Sequence, residues 1–172
     1  MSLSRDQLRQ VLAATLAELR QTVAGLTVEQ WCWKPSPEVW SIGEGAEHLV
    51  AVERGILRRL RLVTGEGLEK TVGKDNLSQR LLNRSRKLSA PERLIPQGLY
   101  DSPAACLAAL DAVRAATLAW VDDPATRFEA HVMPHPAFGE LHGGQWVEMI
   151  AGHVGRHVAQ MREVMTAPGY PR

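Results

Sequence analysis

Apolar residues recur at helical spacing along most of this chain. Leu8, Leu12, Leu16, Leu19 and Val23 form one face over residues 4–24, and Gly25 follows as a stop. Ser4 with Gln7 fits a capping box at the start of that helix. A second helix is predicted over 41–64, opened by Ser41 and Glu44 and striped by Ile42, Ala46, Leu49, Ile56, Leu57 and Leu60. A third spans 102–121, with Ser102 as cap, Pro103 in the first turn, and Leu107, Leu110, Val113, Thr117 and Val121 facing inward. The last, over 146–165, carries Trp146, Ile150, His153, His157, Met161 and Val164 on one stripe at roughly 100° per residue.

Between these segments the pattern breaks. Residues 26–40 hold Pro35 and Pro37, which forbid a regular helix, and three tryptophans: Trp31, Trp33 and Trp40. They read as a loop pinned by aromatic burial, with one wall of a pocket as the second reading. Residues 65–100 are loosened by Gly65, Gly67 and Gly73, with a short helix predicted over 75–88 on Leu77, Leu81 and Leu88. Residues 125–142 form a connection rich in proline and histidine. There Pro134 and Pro136 make His131 and His135 loop residues rather than an H-x-x-x-H helical pair, and His142 stands just before the last helix. No strand pattern, repeat or phosphate-binding glycine loop stands out. The expected fold is all-α: an antiparallel four-helix bundle with a crossover connection, as one domain over residues 1–172.

Composition narrows the function. Hydrophobic residues make up 45% and charged residues 23% of 172, with net charge +1, an ordinary globular balance without an electrostatic footprint for nucleic acid. Arg54, Arg58, Arg59 and Arg61, and further on Arg80, Arg84, Arg86 and Lys87, are spaced like solvated helix faces. Cys32 and Cys106 form no metal-finger spacing, and Cys106 reads as a buried thiol. No apolar stretch approaches the roughly 18 residues that cross a membrane, and the N-terminus lacks a signal-peptide pattern, so a cytoplasmic setting is expected.

The chemistry sits on two histidines. His153 and His157, at i and i+4, are neighbours on the face that should be buried, and one metal ion can take both. Two ligands are an incomplete site. The helical candidates for a third are His48, on the flank of its helix with Val52 and Val63, and Glu53, an acid inside the apolar stripe. Such an acid is either at a fraying edge or a buried polar partner.

Three stretches together resemble the DinB-like (YfiT-like) superfamily of bacterial metalloenzymes: VWSIGEGAEHLV, HPAFGELHGGQW and HVGRHVAQMREV. Trp40 and Ser41 match the start of that family's second helix, His48 its histidine, and His153, His157 and Gln160 its final motif. The resemblance implies a three-histidine site of His48, His153 and His157, holding a divalent ion, zinc or nickel, with an open position. It also implies a transferase-type enzyme that uses a low-molecular-weight thiol, such as bacillithiol or mycothiol, against a small electrophile. A divalent ion so held lowers the pKa of a bound water or thiol. Gln160 would orient a ligand, with Arg156 and Glu53 as further supporting candidates. A non-catalytic metal-binding stress-response or dimerising protein is the alternative. A homodimer is the assembly the resemblance implies, and Leu62 and Leu118 are apolar positions left over for it.

Overall fold

The computed structural model describes residues 2–63, 68–83 and 90–172. Gly65, Gly67, Arg84, Arg86, Lys87 and Leu88 lie outside the described residues. Among the described residues the protein is mostly helical, with one small two-stranded sheet. Its elements are α1 (Arg5–Val23), α2 (Val28–Cys32), α3 (Ile42–Leu62), α4 (Leu77–Leu82), α5 (Pro103–Asp122), β1 (Val132–His135), β2 (Gly139–His142) and α6 (Gly143–Thr166).

The long helices start where the caps place them. Ser4 and Gln7 exchange side-chain and backbone hydrogen bonds, as do Ser41 and Glu44, and the Ser102 hydroxyl accepts from Ala105 N–H. Three expectations are corrected. The stretch before Pro35 does hold a short helix, α2, capped by Thr27 and Gln30, so the prolines end it rather than forbid it. The helix predicted over 75–88 is α4, helical from Leu77 to Leu82 among the described residues, and its predicted part from 84 to 88 lies outside them. The connection before the last helix contains a hairpin that pairs Val132 with His142 and His135 with Gly139, so His135 and His142 are strand residues. An isolated two-stranded hairpin is marginal in water. This one is held by burial of Val132, Met133 and Leu141 against the helices.

Side-chain pairs give the helix directions. Arg9 meets Asp122 and Arg20 meets Asp111, each at 2.5 Å, so α1 and α5 run antiparallel. Ser2 bonds His142 near the start of α6 and Arg162 bonds Glu18 near its end, so α1 and α6 run parallel. Gly45 packs beside Met161 while His48 lies against His157, so α3 and α6 are antiparallel. Glu47 faces Cys106 and Glu53 bonds Arg114 and Thr117, so α3 and α5 are parallel. Two parallel neighbours cannot be joined by a hairpin turn. The connection between α3 and α5 therefore travels the length of the helices, carrying α4 on the way.

That connection is clamped to α6. Both the backbone N–H and the hydroxyl of Ser78 donate to the buried Glu148 carboxylate at the start of α4, and Arg156 donates to the carbonyls of Leu81 and Asn83 at its end. Negative charge at a helix start and positive charge at its end both oppose the helix dipole. Close approach depends on Gly152, where a Cβ would lie 2.5 Å from Ser78 Cα.

The core divides into two apolar clusters. One, toward the hairpin, includes Leu8, Leu12, Leu60, Trp120 and Trp146, and the other includes Leu19, Trp31, Ile42, Leu110 and Met161. By length and composition alone α5 is apolar enough to cross a membrane, which corrects the expectation that no stretch is. In the fold its midpoint carries Arg114, buried against Glu53 of α3. Leu62 is 74% exposed, while Leu118 is half-buried against the core.

Candidate metal centre

α3 and α6 bring His48, His153 and His157 together. One nitrogen from each lies within 4.8 Å of the others, and no other such group of histidine, cysteine or acidic residues occurs among the described residues. The i, i+4 spacing puts His153 and His157 on one side of α6, with their Nε2 atoms 3.2 Å apart. His48 enters from the antiparallel helix, its ring 5.2 Å from that of His153 and 4.9 Å from that of His157.

The Nδ1 of His48 lies 2.8 Å from the Leu94 carbonyl oxygen. A carbonyl only accepts, so Nδ1 carries the proton and Nε2 keeps its lone pair. A metal-binding histidine commonly donates its other ring N–H to a carbonyl or carboxylate in this way, which fixes the ring and its tautomer. Burial holds the His48 imidazole below its ordinary range, partly offset by that hydrogen bond. His153 is pushed down to about 3, first by burial and then by the positive charges of His48, Arg156 and His135. At neutral pH His153 is therefore uncharged, the form that binds metal. Ligands at a Zn–N distance of about 2.05 Å in a tetrahedron stand about 3.3 Å apart, close to the spacing seen between His153 and His157. The donor set fits a divalent ion.

Trp40 forms a wall of this site. Its ring lies 4.9 Å from His48 and 6.1 Å from His157, nearly parallel to the latter at 16°. It is half-buried beside the histidines, whereas Trp31, on α2, is buried in the core.

The supporting candidates divide. Arg156 is buried beside the site and its charge bears on His153, while its guanidinium holds the end of α4. Gln160 stands half-buried one turn beyond His157. Glu53 faces elsewhere, because both of its oxygens are engaged by Arg114 and one also by Thr117 on α5. Of the two alternatives for this acid, the buried polar partner holds. His131 lies outside the cluster, bonded to the Val63 carbonyl. His142 caps α6, with its Nδ1 accepting from Gly144 and Gln145 N–H. Sequence reasoning missed the Leu94 carbonyl, which no residue type announces, and Glu47, whose place beside His48 was its only signal.

Fold and site together define a helical protein whose three histidines lie close enough to share a metal ion. The sequence model of the DinB superfamily matches residues 11–161, and the chain belongs to that superfamily. It is also 31% identical over 140 residues to the uncharacterized protein YuaE of Bacillus subtilis (strain 168), covering 81% of this chain and 86% of that protein. No solved structure matches the chain.

Proposed function

We propose that this protein is a metal-dependent enzyme of thiol-transferase type. In this reading it is a four-helix bundle with a crossover connection, antiparallel between α1 and α5 and between α3 and α6 but, unlike the expected all-antiparallel bundle, parallel between α1 and α6 and between α3 and α5, and His48, His153 and His157 hold zinc or nickel. The observation that carries it is the convergence of three imidazole nitrogens from two helices, one of them oriented by a backbone carbonyl. A divalent ion held this way with an open position supplies the Lewis acidity that makes a thiol or water a nucleophile near neutral pH.

The chain's own residues do the rest. The Leu94 carbonyl holds the His48 proton on Nδ1. Burial and nearby positive charge keep His153 neutral. Trp40 shields one side of the site from water. Arg156 and Gln160, on the same helix as two ligands, are placed to steady them, and Arg156 adds positive charge that favours an anionic thiolate nearby. The substrates are a low-molecular-weight thiol and a small electrophile.

The alternative is a non-catalytic metal-binding stress-response or dimerising protein. It keeps the same three histidines as metal ligands and assigns them no substrate.

Elemental analysis of protein purified without a histidine tag, followed by zinc and nickel titration of the metal-free form, separates the readings. Bound metal is expected, with a rise in melting temperature corresponding to about 2.7 kcal/mol when the ion is at 100 times its Kd. His153→Ala is expected to abolish both the binding and thiol transfer to small electrophiles. Metal loss without any change in thiol transfer leaves the non-catalytic reading. No metal and no thermal shift removes both.

A further inference from the structure

The end of the return connection is tied to α3 immediately beside the site. Glu47, the residue before His48, is 5% exposed, and each of its oxygens accepts a backbone N–H. Gln97 donates to Oε1 at 2.6 Å and Leu99 to Oε2 at 2.7 Å. Gly98 lies between them at φ +75°, a conformation that side chains other than glycine rarely adopt, and it turns both amides toward one carboxylate. Leu94, three residues before Gln97, gives its carbonyl to His48. Beyond the turn, the Tyr100 carbonyl accepts from Trp31 Nε1 at 3.0 Å.

Burial alone does little to hold this segment. Ile95 is 45% exposed, Leu99 is 71% exposed, and Gln97 and Gly98 are exposed as well. The hydrogen bonds to Glu47 are the charge-assisted kind, about twice as strong as neutral ones. The link is reciprocal, since a buried carboxylate without its two donors would be strongly disfavoured.

We propose that Glu47 is a positioning residue for the metal site. By holding residues 97–99 it keeps the Leu94 carbonyl on His48. That carbonyl holds the imidazole proton on Nδ1 and leaves the Nε2 lone pair available to a metal ion. Glu47 thus acts on the ion through two intermediaries, a strap of backbone and the ring of its own neighbour. This inference rests on the metal-site reading above. It adds that the site is built from α3, α6 and the return connection together, not from two helices alone.

The test is zinc titration of the metal-free full-length protein, with histidine NMR as a second readout. In the wild type, the His48 Nδ1–H is expected to be protected from solvent exchange and zinc to bind. Glu47→Gln keeps the shape but turns one acceptor into a donor. It is expected to expose the His48 Nδ1–H and raise the zinc Kd about ten-fold or more, the usual cost of losing outer support for a ligand. Gly98→Ala strains the same turn without touching α3 and is expected to act in the same direction, so it decides the question if Glu47→Gln does not fold. His142→Ala, at the far end of α6, is expected to lower the melting temperature while leaving zinc affinity unchanged, which separates positioning from general loss of stability. If the wild type binds zinc and both strap variants bind it equally well, the positioning role is wrong. If the wild type binds neither zinc nor nickel, the metal reading itself falls, and this inference with it.

Discussion

Two clusters of buried polar side chains grow from α3, five residues apart, and they differ in kind. Glu53 points to α5, where Arg114 donates to both of its oxygens and Thr117 to one, each at 2.8 Å, and Arg114 donates onward to the Leu12 carbonyl. Donors meet acceptors and opposite charges meet, with both ionic partners 2% exposed. His48 points to α6 and meets two further imidazoles, whose nearest nitrogens approach to 3.2 Å. Each neutral imidazole brings one N–H and one lone pair, and the tautomer decides which of His153 and His157 donates across that contact. The first cluster completes itself within the chain and is structural. The second is a set of like rings, with one nitrogen from each close enough to the others to share a cation. Burial of polar residues alone does not distinguish them; complementarity does.

The comparison can be broken most directly at Arg114. Arg114→Met leaves the Glu53 carboxylate buried without its cation, and a loss of about 3–5 kcal/mol is expected in urea denaturation. His153→Ala, measured the same way on metal-free protein, is expected to change stability by about 1 kcal/mol or less, since only a neutral, half-buried ring is removed. Equal losses would mean that the histidines are as structural as the ion pair.

Acid sharpens the same contrast. Burial lowers the proton affinity of His48 and His142 below the ordinary 6.5 and pushes His135 to about 4 and His153 to about 3. A histidine with a depressed folded pKa gives its full contribution above the unfolded value and loses it as pH falls toward the folded one. The metal-free protein should therefore lose stability progressively below about pH 6.5, continuing toward pH 3. Urea midpoints measured at several pH values would show it, and a flat profile would contradict the burial of these rings.

A comparably small effect is expected at the α6 cap. His142→Ala should cost about 1 kcal/mol, and His142→Asn should restore most of it, because asparagine accepts the same amide bonds without titrating. Thermal melts at pH 7 compare the two.

Much of the fold was legible because its signals are local. Ser4 with Gln7, Ser41 with Glu44, and Ser102 with Pro103 each mark a helix start within four residues of chain. Thr27 with Gln30 carries the same signal for α2, but the reading of that stretch rested on Pro35 and Pro37 alone. The hairpin was hidden by strands of only four residues with Pro134 inside one of them. His142 gave no cap signal because histidine is not among the usual capping residues. Glu53 showed itself as an anomaly in an apolar stripe, yet nothing near it in the chain named Arg114 as its partner.

The sequence by itself determined that His153 and His157 share one face of a buried helix. That relation depends only on helical geometry over four residues. Tertiary structure decided that the ring of His48 meets them, that Leu94 sets its proton, and that Glu53 turns away to Arg114. Those relations depend on how closely α3 and α6 approach and on the route of the return connection. Both are outcomes of packing among residues far apart in the chain, which no local pattern encodes.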